Sequence, residues 1–113
     1  MSWWIYLEDD DGKNVTVDRH EEGGTYCMGG THEAELNVTY NYGVVFRLAG
    51  LDFKGLQGMT GADATPILEA AVEKLGTSRF KDYWAPTPGN AGYALSIILR
   101  WAQEHPTARF RVS

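Results

Sequence analysis

The spacing of apolar residues changes twice along this chain, and that change limits the fold more than any single motif. Trp3–Leu7 and Ala34–Tyr40 sort their side chains onto two faces with the period of two that strands require. From Ile67 to Ala102 apolar residues recur at three and four positions, the spacing of a helix face. Alternation then returns, with Ala108, Phe110 and Val112 set against Arg109 and Arg111. Strands, then helices, then one more strand predict an α+β domain of two layers. Two to three helices cover one face of a mostly antiparallel sheet of four to five strands, the C-terminal strand included.

With 113 residues the chain supports one core and not a second domain. Size scaling gives a native surface of roughly 6,000 Å². Aromatic residues reach 12%, which sets the chain apart from disordered sequences.

Local signals fill in the order. Asp9-Asp10-Asp11-Gly12 is turn chemistry leading back into a strand at Asn14–Asp18. Gly23-Gly24 and Gly29-Gly30 bracket a short strand at Thr25–Met28. Val44–Ala49 is a short helix. Thr60 and Asp63 resemble a capping box for a second helix with its apolar stripe at Ile67, Leu68, Ala71, Val72 and Leu75 and its stop at Gly76. After a long connection over 77–89, Asn90 is the expected cap of a third helix carrying Ala94, Ile97, Ile98, Trp101 and Ala102. His105-Pro106 ends it.

Charge is unevenly placed. Residues 1–35 hold nine carboxylates against Lys13 and Arg19, whereas residues 36–113 hold six acids and eight bases. A net charge of -5 disfavours phosphate backbones, so no nucleic acid is expected as a partner. The acidic front half suits a basic partner surface. Cys27 is the only cysteine, which excludes an intrachain disulfide and fits a reducing cytoplasm. The apolar start lacks a basic flank, and no stretch approaches membrane-spanning length, so neither a signal peptide nor a membrane is expected.

Strand alternation also names a candidate surface. If helices cover Trp3, Ile5, Leu7, Leu36, Val38, Phe110 and Val112, the opposite face carries Trp4, Tyr6, Glu35, Asn37, Thr39, Arg109 and Arg111. Aromatic planes beside amides and guanidinium groups are the residue types of recognition surfaces. The plainer expectation for the same residues is cross-strand pairing, with Arg109 or Arg111 neutralising Glu35. On this assignment Ile67, Val72, Ile98 and Trp101 should be less exposed than Glu35 or Asn37.

A second candidate is a small polar pocket where the strand ending near Tyr40 meets the helix after it. Tyr40, Asn41 and Arg47 would line it; Tyr83 and Trp84 of the long connection are expected to plug the hydrophobic edge of the helical layer or, in the sharper reading, to join the pocket as a lid or partner-binding loop. His20, Cys27 and His32 with Glu21, Glu22 and Glu33 match no metal-ligand spacing, so no metal is expected. No nucleophile elbow, phosphate loop or dinucleotide fingerprint is present. No catalytic residue and no cofactor are therefore assigned.

Asn37-x-Thr39-Tyr40-Asn41 with Arg47, Leu68-x-Ala70-Ala71, Pro88-x-Asn90 and Phe110-x-Val112 follow a Trp-Ile-x-Leu-like opening strand. In these the chain resembles a family of small uncharacterised proteins encoded by bacteriophages, prophages and some bacteria. The resemblance covers most of residues 3–112; the acidic and Gly-rich stretch between 9 and 34 is longer here than in many such proteins. It implies a phage or prophage accessory protein of the bacterial cytoplasm, and no activity. The expected function is non-enzymatic binding of a host protein or of a second copy. The alternative is a small-ligand binder or minor enzyme using the Asn37–Arg47 junction.

Overall fold

β1 (Ser2–Glu8) is the middle strand of the main sheet. β4 (Glu35–Thr39) pairs with it on one side and β5 (Arg109–Val112) on the other, both antiparallel. This computed structural model describes residues 1–20, 31–82 and 85–113. The expected strand at Thr25–Met28 lies outside the described residues, as do Glu21, Glu22, Cys27, Tyr83 and Trp84. Among those described, β2 (Thr16–His20) and β3 (Thr31–Glu33) form a separate two-stranded ribbon, and three α-helices complete an α+β fold: α1 (Gly43–Leu48), α2 (Gly61–Leu75) and α3 (Pro88–Glu104). The accessible surface, 5982 Å², matches the size expectation.

The five described strands thus divide into three and two. The reason is legible at the branch point. Leu7 N–H donates to the Ala34 carbonyl at 3.1 Å, Ala34 N–H to Val15 at 3.0 Å, and Val15 N–H back to Leu7 at 2.9 Å. This closed trio ends the main ladder and turns β2 and β3 aside. β2 has little to hold it on the main sheet, since only Val17 of its five residues is buried.

The inner face of the main sheet is the one expected. Ile5, Leu7, Leu36, Val38 and Phe110 are all buried in a core shared with Phe46, Leu68, Leu95, Ile98 and Trp101. Pairing Ile5 with both Leu36 and Val112, and Leu7 with Phe110, puts these side chains in register against the helices.

α2 starts where its cap predicts, with the Asp63 N–H donating to Thr60 Oγ1 at 3.1 Å. Its buried line differs from the expected stripe. Gly61, Ala64, Leu68 and Ala71 face inward, while Ile67 is 39% exposed against 2% for Asn37. Small residues let α2 lie close on α3, and that rotation leaves Ile67 at the rim.

α3 is capped three residues before the expected position. Thr87 is the N-cap, its Oγ1 accepting from Asn90 N–H at 3.1 Å, with Pro88 in the first turn where its missing N–H costs nothing. Asn90 is instead a buried anchor. Its Oδ1 accepts from Phe80 N–H at 2.8 Å, and its Nδ2 donates to the carbonyls of Asp82 and Ala85 at 2.9 and 3.0 Å. The connection ahead of α3 is thereby tied to the helix it precedes.

Candidate functional site

The hairpin after β1 is set by Asp9, whose Oδ1 accepts from the N–H groups of Asp11 and Lys13 at 2.9 and 3.0 Å. Gly12, at a φ of 77°, supplies the left-handed turn that a side chain resists. The turn fixes the end of β1 and so the direction of Tyr6 and Glu8.

On the outer face of the sheet, register places Glu35, Tyr6 and Arg111 in one row across three strands, with Trp4 opposite Asn37 in the next. The rings of Trp4 and Tyr6 stack with centroids 6.3 Å apart and planes 21° from parallel. The Arg111 guanidinium carbon lies 4.0 Å above the centroid of the Tyr6 ring. Such a cation–π contact contributes about 0.5–1 kcal/mol at an exposed site. Arg111 Nε also donates to Glu8 Oε2 at 2.9 Å. That hydrogen bond is the main reason the guanidinium sits above its ordinary pKa range. The result is a line of three planes, Trp4, Tyr6 and Arg111, held at one end by a carboxylate.

The structure brings most of the first candidate set onto this face, but Asn37 and Thr39 are not displayed on it. Both are buried. Asn37 Nδ2 donates to Ser2 Oγ at 2.8 Å and its Oδ1 has no hydrogen-bond partner. Thr39 Oγ1 accepts from Asn41 N–H at 3.3 Å, capping the helical turn at Tyr40–Tyr42. Their work is structural. The expected neutralisation of Glu35 by an arginine does not occur either: Arg111 takes Glu8, and Arg109 donates to the Gly58 carbonyl at 2.8 Å. Tyr6 stands between Glu35 and Arg111, which is why that pairing fails. Glu8 was not singled out by sequence, because its role depends on a register between residues a hundred positions apart.

A hollow of about 340 Å³ adjoins the row, lined by Glu8, Asp9, Asp10, Gln57, Arg109 and Arg111 among others. A larger groove of about 390 Å³ lies between β2 and α3, where the His20 ring sits 5.2 Å from that of Trp101. Tyr40, Asn41 and Arg47 of the second candidate set line neither. All three are exposed, because the helical turn and α1 direct Tyr42, Val45 and Phe46 inward. They stand exposed along the turn and α1 and not around either hollow. Among the described residues no three His, Cys, Asp or Glu side chains group as metal ligands. No helix among them is long and apolar enough to cross a membrane.

Tyr42 offers a chemical probe of this junction. Burial pushes its hydroxyl up to about 12, with Arg79 opposing. The folded protein then holds that proton more tightly than the unfolded chain, so the associated stability is complete below pH about 10 and lost as pH rises to about 12. Thermal melting across this window should show a loss of at most about 2 kcal/mol from this group. Tyr42→Phe should flatten that part of the profile; an unchanged slope would show that Tyr42 does not carry it.

No protein-family model, curated protein or solved structure matches this chain.

Proposed function

We propose that this is a non-catalytic protein-binding module that docks its partner on the outer face of the β4-β1-β5 sheet. The observation that carries the reading is the stacked line of Trp4, Tyr6 and Arg111 on the side of the sheet away from the helices. Aromatic and arginine side chains dominate binding energy where an interface excludes water. Here the stack pre-orders them, which lowers the entropy lost on binding.

The surroundings choose the partner's chemistry. Glu8, Glu35, Asp9 and Asp10 outnumber Arg109 and Arg111 around this face and the hollow beside it. A partner presenting basic side chains fits that balance, and the hollow beside Glu8 has room for one. With the resemblance to phage and prophage proteins, the reading becomes an accessory factor that engages a host protein in the bacterial cytoplasm.

The test is capture from bacterial lysate by the wild type and by the double variant Trp4→Ser, Tyr6→Ser, with mass spectrometry of what is retained. The expected result is one host protein lost by the variant, while circular dichroism shows an intact fold. Equal capture by both proteins would refute the assignment of this face.

A further inference from the structure

The outer sheet face presents hydrogen-bond donors, and its strand edges are already closed. Phe110 N–H donates to the Met59 carbonyl at 2.9 Å, Gly58 N–H to that of Phe110 at 2.8 Å, and Val112 N–H to Gln57 Oε1 at 2.7 Å. Residues 57–60 thus occupy the β5 side, and on the β4 side Asn37 and Thr39 are buried. A partner on this face is therefore gripped by side chains of the sheet and not added to it as a strand. The Trp4 ring is half-buried, and its indole N–H, which can only donate, meets no acceptor among the described residues. Arg111 commits Nε to Glu8, while its Nη atoms carry further donors. Along β1 the next outward position after Trp4 and Tyr6 is Glu8, where the hollow shared with Asp9 and Asp10 begins.

We propose, taking the docking face above as given, that the segment it binds is a proline-rich stretch in the polyproline II conformation with a basic residue at one end. The prolines pack on Trp4 and Tyr6, and the basic side chain enters the hollow beside Glu8. The donors select an extended chain over a helix. A polyproline II segment has no internal hydrogen bonds, so its carbonyls are free to accept from the Trp4 N–H. A helix spends its interior carbonyls within itself, and covering Trp4 with one leaves that donor unpaired. The spacing agrees: the two rings lie 6.3 Å apart and 21° from parallel. Two residues of a polyproline II chain span about 6.2 Å. Such a chain arrives already stiff, so its capture by aromatic side chains loses little entropy. Charge sets the direction. The hollow past Tyr6 holds the three carboxylates of Glu8, Asp9 and Asp10 against the two guanidinium groups of Arg109 and Arg111, which places the basic residue at that end.

Titration of the isotope-labelled full chain with synthetic peptides, followed by NMR, tests it. The probes are decaproline with an arginine at each end, decaproline ended by glutamates, and an alanine-based helical peptide bearing two arginines. Trp4→Phe assigns the Trp4 indole resonance. The expected result is a saturable downfield shift of that resonance with the arginine-ended decaproline, and binding at least about threefold weaker with glutamate ends. Trp4→Phe keeps an aromatic plane and removes the donor, and should weaken binding about fivefold, the loss of one hydrogen bond. Trp4→Ser with Tyr6→Ser should weaken it at least about tenfold. If the double variant loses its fold by circular dichroism, Trp4→Phe decides. No saturable shift up to about 5 mM peptide overturns the proposal. So does binding by the helical or glutamate-ended peptide as tight as by the arginine-ended one, or unchanged affinity in Trp4→Phe. Such a failure, with lysate capture still dependent on Trp4 and Tyr6, removes the proline segment alone and leaves the docking face standing. Loss of both removes the two together.

Discussion

Gly92→Ala is expected to lower the melting temperature by about 10–20 °C, the effect of about 3 kcal/mol in a domain of this size. The chain leaving α2 passes directly over the first turns of α3. A Cβ built on Gly92 overlaps the carbonyl of Gly76, and one built on Gly89 overlaps that of Ser78. Both obstacles are backbone, so no rotamer change relieves them. The sign makes this test sharp. In an open helix, Gly→Ala stabilises by about 1 kcal/mol through propensity alone. Gly12→Ala supplies the contrast: that position has a φ of 77° but nothing within 4 Å of the added atom. Backbone strain alone should cost it about 1 kcal/mol. Thermal denaturation of the three proteins separates the two causes. A Gly92→Ala protein melting at or above the wild type would show that the chain does not cross α3 there.

Asn90→Ala is expected to cost about 3 kcal/mol and to open the connection ahead of α3 to proteolysis. The amide is 3% exposed and satisfies three backbone groups, and each group left buried without a partner costs about 1–3 kcal/mol. Water reaching part of the loop lowers the total. Asn90→Asp isolates the donors. It keeps an acceptor for Phe80 N–H but sets a carboxylate against the carbonyls of Asp82 and Ala85. A carboxylate in the first turn of a helix is ordinarily favourable by about 0.3–1 kcal/mol. A loss of stability at pH 7 would therefore report the two donated bonds together with the cost of burying a carboxylate at this position. Urea denaturation of both variants gives the magnitudes, and an Asn90→Asp protein as stable as the wild type would exclude the anchoring role.

These two residues show where sequence reading reaches its limit. Asn90 was legible as a residue suited to the start of a helix, and its neighbourhood was right. Capping propensity is local, however, and Thr87 with Pro88 was an equally good local start. Only the chain folded back over α3 makes Asn90 the better anchor than cap. Gly89 falls in the connection expected over 77–89, and Gly92 falls just inside the expected third helix. They are the condition for that crossing.

The candidate surface divides in the same way. Alternation along β1 put Trp4 and Tyr6 on one face and Ile5 and Leu7 on the other, and the register bears this out. Side-chain period is a property of the strand itself, so no partner is needed to read it. The burial of Asn37 and Thr39 was not legible, because it depends on what lies over the end of a strand and not on which way its residues point.

What the sequence determined by itself was the alternation of β1, β4 and β5, the cap and extent of α2, the amphipathic face of α3 and the α+β class. Each follows from the local backbone period and the hydrophobic effect acting on one element at a time. The tertiary structure alone decided that β5 joins β1 opposite β4, that β2 and β3 turn aside, and that Arg111 lies over Tyr6 and binds Glu8 rather than Glu35. Those outcomes depend on register between distant segments. A shift of one residue there exchanges the two faces of a strand, and only the closed packing of the whole chain selects among the choices.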